Sequence, residues 1–137
     1  MIREFTGGYR WLSNFVGGVE QKYQAAKCVN EAVTKEVLAM SPGAAKRFSR
    51  FIEIRPDWES IKLGVMEDLV REKFRREPYR TLLLYTGDEE IVEGNRWGDK
   101  FWGVCDGVGE NHLGQIIMKV RDELRGDSGC TAPTQKP

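Results

Sequence analysis

The order of apolar and polar positions changes character several times along the chain. Residues 5–15 are rich in aromatics and Gly, and predict one or two short strands with a turn at Gly7-Gly8. Gly17-Gly18 breaks the chain, and the Ala, Lys and Gln of residues 20–30 predict a helix. A second helix is expected over residues 31–40. Ser41-Pro42 marks a new start, because a serine hydroxyl caps free N–H groups and proline suits the first turn. This third helix carries Ala44, Ala45 and Phe48. The longest periodic signal begins after Asp57, another capping residue. Trp58, Ile61, Val65, Leu69 and Phe74 recur at helical spacing, Lys62, Met66 and Val70 widen the stripe, and Pro78 stops it. Residues 79–85 predict a short helix ended by Gly87, and residues 90–93 a strand. A Gly- and Trp-rich loop fills 94–109. The last helix has Asn111 as its cap and Leu113, Ile116, Ile117, Val120 and Leu124 as its apolar face. About six helices with minor strand content predict a mainly α single domain over 1–126, with 127–137 a frayed polar tail.

Composition narrows the chemistry more than the fold. With 137 residues, 40% hydrophobic and 31% charged, the chain fits one globular domain with a core that needs no disulfides. Its longest apolar run, Leu82-Leu83-Leu84-Tyr85, falls far short of the roughly 18 residues of a membrane span. The first residues lack the apolar stretch of a signal peptide, so a cytoplasmic address and no membrane partner are expected. Three cysteines without a C-x-x-C pair argue against a disulfide framework and a zinc ribbon. His112, the one histidine, excludes H-E-x-x-H and multi-histidine metal sites. No metal and no cofactor are therefore expected, and chemistry falls to carboxylates, lysines, arginines and aromatics.

The net charge is zero, with 21 basic and 21 acidic residues, but the charges are segregated. Residues 43–80 hold 10 basic and 7 acidic side chains, net +3, whereas 81–110 hold 2 and 7, net −5. Such a pair of segments can hold phosphate beside catalytic carboxylates, or be two sets of solvated helix faces.

Two stretches stand out. Glu20, Tyr23, Gln24 and Lys27 lie at i, i+3, i+4 and i+7, one face of a helix, with Ala25, Ala26 and Val29 opposite. That stripe is either a solvated face or an acid, a phenol, an amide and an amine gathered for chemistry. The second is the loop over 93–103, with Trp97 and Trp102 among glycines and acids. Its aromatics either fill an irregular core or sandwich a planar base whose edge Asn95 or Asp99 reads. Asp99 also suits a simple turn, and Ser13-Asn14 either binds a ligand or caps one. Lys46, Arg47 and Arg50 follow a helix N-terminus able to hold phosphate. Arg71, Lys73, Arg75, Arg76 and Arg80 read as a solvated basic face, His112 as structural, and the cysteines as inert.

Taken in order, these stretches resemble the NADAR (YbiA-like) family. The resemblance rests on Trp11-Leu12-Ser13-Asn14-Phe15, Val19-Glu20-x-x-Tyr23-Gln24-Ala25-Ala26-Lys27, and Ser41-Pro42-Gly43-x-Ala45-Lys46-Arg47. It continues through Asp57-Trp58, Lys62, Met66, Lys73-Phe74, Thr86-Gly87-Asp88, Glu93-Gly94-Asn95-x-Trp97-Gly98-Asp99-x-Phe101-Trp102-Gly103 and Asn111-x-Leu113-Gly114. It implies an α-rich orthogonal bundle that cleaves N-glycosidic bonds. Some members look like hydrolases that remove ADP-ribose from modified guanine in nucleic acid, in phage or toxin–antitoxin settings among others. Others act on small phosphorylated ribosylamino intermediates of riboflavin synthesis. A non-catalytic module binding ADP-ribose or NAD derivatives is the remaining alternative.

Carried onto this chain, the resemblance makes Glu20 the carboxylate that stabilises charge at C1 or activates water. Asp99 becomes a second acid, placing the ribose hydroxyls or assisting proton transfer. Lys27 holds a phosphate or ribose oxygen, or forms a Schiff base with ring-opened ribose. Tyr23, Trp97 and Trp102 shape the pocket, Ser13, Asn14 and Asn95 donate or accept hydrogen bonds, and Lys46 and Arg47 meet phosphates. Phe15, Gln24 and Gly98 complete the expected binding set. Two departures stand out. Only Val16-Gly17-Gly18-Val19 connects the Ser-Asn-Phe motif to the helix of Glu20, and Gln21 replaces a frequent His.

Overall fold

A computed structural model describes residues 1–131, and the last six residues of the predicted tail lie outside it. Strand β1 (Ile2–Glu4) leads through a 3-10 turn at Gly7–Leu12 into α1 (Val19–Ala26), α2 (Glu31–Leu38) and α3 (Pro42–Phe48). A second short turn, Ser49–Phe51, precedes α4 (Trp58–Phe74) and α5 (Tyr79–Tyr85). Strands β2 (Ile91–Asn95) and β3 (Val104–Cys105) come next, and α6 (His112–Thr131) closes the fold. The protein is mainly α, as expected. A small parallel sheet of order β1-β2-β3 lies at its centre, pairing Ile2 with Ile91 and Gly94 with Val104.

The periodic stripes form the core. Leu113, Ile116, Ile117, Val120 and Leu124 of α6 are buried against Met66, Val70 and Phe74 of α4 and Ile2 and Ile91 of the sheet. A satellite cluster of Ala25, Val37 and Ala45 joins α1, α2 and α3. Ser41 caps α3 by accepting the Ala44 N–H at 3.3 Å, with Pro42 in the first turn. Among the described residues, no helix is long and apolar enough to cross a membrane.

Several local expectations give way to tertiary demands. Residues 5–15 hold no strand. The Tyr9 N–H bonds the Thr6 carbonyl and the Trp11 indole bonds the Gly8 carbonyl, so the segment coils, and the strand lies earlier, at Ile2–Glu4. Helix α1 ends at Ala26 rather than near residue 30, because Lys27 and Cys28 turn to meet Arg55 and Ile54. Val29 is consequently exposed. Asp57 stands at the N-cap of α4 but its carboxylate pairs with Arg55 instead of backbone N–H groups. Asn111, at φ 54, ties α6 to β2: its side chain accepts the Glu93 N–H at 2.9 Å and donates to the Ile91 carbonyl at 3.0 Å. The final helix runs past Gly126, to Thr131.

The basic face predicted on α4 is only partly solvated. Arg71 lies in an ion-pair network with Glu67, Asp68 and Glu123. Lys73 is buried outright, at 1% exposure. It lies on the face of Met66 and Val70, and packs near the rings of Phe74 and Tyr79.

Candidate active site

The 13–18 segment sets the entry to α1. Ser13 Oγ accepts the Phe15 N–H at 3.1 Å, and the Asn14 carbonyl accepts the Glu20 N–H at 3.0 Å, tying off a free donor of the first turn. Gly17 and Gly18 have φ of 92 and 86, a left-handed conformation that glycine adopts without steric cost. Two such residues turn the chain directly into the helix, with no longer segment between.

Helix α1 is wedged between the satellite cluster and the main core, so its polar stripe faces inward. Glu20 is 7% exposed and Gln24 5%, which removes the solvated-face alternative. Tyr23 sits edge-on to Trp58 and Trp102, with centroids 5.1 and 5.6 Å away. Lys27 lies 5.3 Å from the Tyr23 ring centroid.

These side chains line a cavity of about 880 Å³. From the 13–18 segment and α1 come Ser13, Asn14, Phe15, Glu20, Tyr23, Gln24 and Lys27; Lys46 comes from α3 and Met66 from α4. The β2 strand and following loop add Glu93, Gly94, Asn95, Arg96, Trp97, Asp99 and Trp102. Phe5, Glu4 and Thr6 of the N-terminal segment and Leu113 of α6 complete the lining. Of the sequence-derived binding residues, Arg47 and Gly98 are not part of this wall. Arg47 is exposed on α3, one residue beyond Lys46, and a one-residue step turns a helical side chain by about 100°.

The loop after β2 is held from within. Asn95 donates to the Asp99 carbonyl at 2.8 Å and accepts the Asp99 N–H at 3.0 Å. Asp99 Oδ1 in turn accepts the N–H groups of Phe101 (3.1 Å) and Trp102 (2.9 Å). Asp99 thus forms the turn and lines the cavity at once. At the cavity mouth Trp97 is 66% exposed and Phe15 38%. The Lys46 ammonium lies 5.4 and 5.7 Å from their ring centroids.

Burial governs the electrostatics. It pushes the Glu20 carboxyl above the usual range, against the Gln24 amide that donates to Oε2 at 2.5 Å and the nearby Lys46 and Lys27 charges. Burial likewise lowers the Lys27 amine, opposed by Glu20, and raises the Tyr23 phenol. Glu93, which residue spacing alone did not single out as a site residue, is lifted by burial to about 7. Its Oε2 accepts from Asn95 Nδ2 at 3.2 Å. A period-2 signal existed: Ile91, Glu93 and Asn95 alternate on the buried face of β2.

The chain is similar in sequence and fold to known proteins. An N-glycosidase from Nostoc punctiforme is 37% identical over 115 residues, covering 78% of this chain and 73% of that protein. The N-glycosidase YbiA of Escherichia coli is 36% identical over 110 residues, covering 77% of this chain and 68% of its own. A riboflavin biosynthesis protein of Vibrio vulnificus is 42% identical over 111 residues; the match takes in 77% of this chain but only 30% of that longer protein. The solution structure of E. coli YbiA superimposes with a TM-score of 0.81 at 31% identity, covering 93% of this chain and 84% of that one. The fold shared with YbiA and the similarity to proteins named N-glycosidases place the chain in the class of hydrolases acting on N-glycosyl bonds. The NADAR domain model matches residues 14–125, and the chain belongs to that family.

Proposed function

We propose that the protein removes ADP-ribose from ADP-ribosylated guanine, in a nucleotide or in nucleic acid, by hydrolysing the bond between ribose C1 and nitrogen. The observation that carries this reading is the division of the cavity into a buried acidic interior and an aromatic, cationic mouth. Glu20 lies in the interior, while Phe15, Trp97 and Lys46 gather at the opening. A ligand that fills both has a ribose to cleave, a phosphate for Lys46 and a planar base for the exposed rings. The recognition centres on one modified nucleotide, because the balanced charge offers no broad grip on long nucleic acid.

In this mechanism C1 becomes positively charged as the bond to nitrogen weakens. The ionised Glu20 carboxylate stabilises that charge and takes a proton from the attacking water. Gln24 fixes the carboxylate by its hydrogen bond. Lys27 holds a ribose or phosphate oxygen; its lowered pKa also suits attack on a ring-opened ribose aldehyde. Asp99 orders the Trp102 wall and orients ribose hydroxyls, and Asn14, Ser13 and Asn95 supply further polar contacts. The test is Glu20→Gln against ADP-ribosylated guanosine, with products identified by mass. Wild type releases ADP-ribose, and the variant folds but is slowed about 10²- to 10³-fold. Full activity in the variant overturns the role of Glu20.

A second substrate reading draws on the Vibrio relative, whose name places it in riboflavin biosynthesis. A ribosylaminopyrimidine phosphate presents the same C1–N bond and one phosphate, but leaves the aromatic mouth half used. Release of ribose 5-phosphate from that compound, with no ADP-ribose from modified guanosine, decides for it. Tight binding of ADP-ribose without turnover of either compound decides for a binding module.

A further inference from the structure

We propose that Glu93 is the acid that protonates the departing nitrogen as the C1–N bond breaks, working with Glu20 across the cavity. This rests on the N-glycosidase reading above and assigns the half of the reaction which that reading leaves without a donor. A neutral amine or amide nitrogen leaves poorly as an anion, so a proton must reach it as the bond breaks.

The geometry supplies one. Glu93 reaches the cavity from the buried face of β2, while Glu20 reaches it from α1, so the two carboxyl groups enter from different elements. Glu93 is held on three sides. Its backbone N–H is taken by Asn111, Asn95 donates to Oε2, and Gly103 lies alongside. A Cβ on Gly103 would stand 2.8 Å from Glu93 Oε2 and 2.1 Å from the Glu93 carbonyl, so the absence of a side chain there is what leaves the carboxyl its place. Among the described residues the Glu93 carboxyl has one donor, the neutral Asn95 amide, and no ion pair. The charges that act on it are Asp99, which favours the protonated form, and Lys46, which opposes it; Glu20, Glu4 and Lys27 share the cavity. Burial outweighs the Asn95 hydrogen bond and the Lys46 charge, and lifts the Glu93 pKa to about 7. Asn95 donates to Oε2, which leaves the other oxygen to carry the proton.

The step balances as a hydrolysis. The C1–N electron pair goes to nitrogen, which gains the Glu93 proton. Water adds its oxygen to C1 and gives a proton to Glu20. Glu20 then releases its proton to solvent and Glu93 recovers one, so both carboxyl groups return to their starting forms and the net consumption is one water.

The deciding experiment measures kcat/KM against pH for wild type, Glu93→Gln and Glu93→Asp on ADP-ribosylated guanosine. A series of N-ribosyl arylamines of decreasing amine basicity is run alongside, and each variant's fold is checked by thermal melting. Wild type should lose activity as pH rises past the Glu93 titration. Glu93→Gln should fall about 10²- to 10⁴-fold with that basic limb gone, and Glu93→Asp should recover part of the rate and the limb. The loss should shrink steadily as the leaving amine becomes less basic, since such amines need less protonation. A loss uniform across the series, or no loss, overturns the proposal. Should Glu93→Gln fail to fold, the wild-type basic limb decides: it must weaken with the least basic amines, and a limb equal for all of them overturns it. A wild type inert to modified guanosine and to the whole series overturns the N-glycosidase reading, and this assignment falls with it.

Discussion

The Lys73 ammonium donates to the Ser13 carbonyl at 2.9 Å, joining helix α4 to a loop sixty residues earlier in the chain. The lysine stem fills the space beside Gly17, where a Cβ would lie 2.9 Å from its Cδ, and Arg76 donates to the Gly17 carbonyl at 2.7 Å. Helix α4 and the turn that follows it therefore hold both ends of the loop that carries Asn14 and Phe15 into the cavity and sets the first turn before Glu20. Among the described residues no carboxylate pairs with Lys73, and burial, aided by repulsion from Arg76, depresses its pKa to about 7.

That arrangement predicts a specific pH dependence of stability. The folded-state pKa lies below the ordinary 10.5, so unfolding takes up a proton between about pH 7 and 10.5. Burying the ammonium costs most below pH 7, and stability gains as pH rises through that window. Lys73→Met keeps the stem and removes the titration. Denaturant unfolding at pH 7 and about pH 10 should show wild type gaining on the variant as pH rises. A constant difference would mean that the amine is not buried uncharged. The variant should also lower kcat/KM, because the 13–18 loop loses its anchor.

Gln24 tunes Glu20 in a direction that can be measured. Its amide stabilises the ionised carboxylate against the larger opposing effect of burial. Gln24→Leu removes that hydrogen bond, so the Glu20 pKa rises further and the ionised form is lost at a higher pH. The acid limb of kcat/KM should therefore move upward in pH relative to wild type. An unmoved limb with lowered activity would assign Gln24 to substrate contact alone. Its Oε1 is buried with no hydrogen-bond partner among the described residues.

The legible parts of the fold were those where apolar residues keep a clean period. The stripes of α4 and α6 and the Ser41-Pro42 start of α3 are visible in residue order, and each is found in place. The stripe from Glu20 to Lys27 was legible as a candidate, but its burial was not, since only the packing of α1 against both hydrophobic clusters decides between pocket and solvent. Lys73 and Glu93 were read as surface or unremarked for one shared reason. Each is a charged residue standing at an apolar-periodic position: Lys73 seven residues after Met66, Glu93 two after Ile91. Such a residue breaks the hydrophobic pattern while obeying its spacing, and only the tertiary partners, Ser13 for one and Asn95 for the other, show how its cost is met. Arg47 does not line the cavity beside Lys46, since proximity in sequence is not proximity on a helix.

Glycine positions separate close packing from mere helix content. Gly103→Ala would press a methyl into the Glu93 carbonyl and the Asn95 amide, and β2 and β3 must shift to admit it. Thermal melting should show a loss of about 1–3 kcal/mol or more, with activity falling as Glu93 is displaced. Gly64 lies exposed within α4 with nothing near its would-be Cβ. Gly64→Ala should gain about 0.5–1 kcal/mol through helix propensity and leave activity intact. A neutral Gly103→Ala would show that the loop around residues 93–103 yields more easily than its hydrogen bonds imply.

The cavity mouth predicts a sharp contrast between adjacent residues of like charge. Lys46 lines the cavity between Phe15 and Trp97, whereas Arg47 is exposed outside it. If the mouth receives phosphate, Lys46→Ala removes a charge-assisted contact worth about 1.5–3 kcal/mol, and KM should rise about 10- to 100-fold. That contact is made equally in ground and transition states, so kcat should change little. Arg47→Ala removes the same formal charge one residue away and should leave KM within about twofold, the scale of a screened surface charge. Trp97→Ala should resemble Lys46→Ala on ADP-ribosylated guanosine, yet have little effect on a substrate with one phosphate and no second base. Steady-state kinetics of the three variants on both substrates makes the test. Equal KM effects from Lys46 and Arg47 would trace the binding to the general positive field of residues 43–80, and would remove Lys46 from the site.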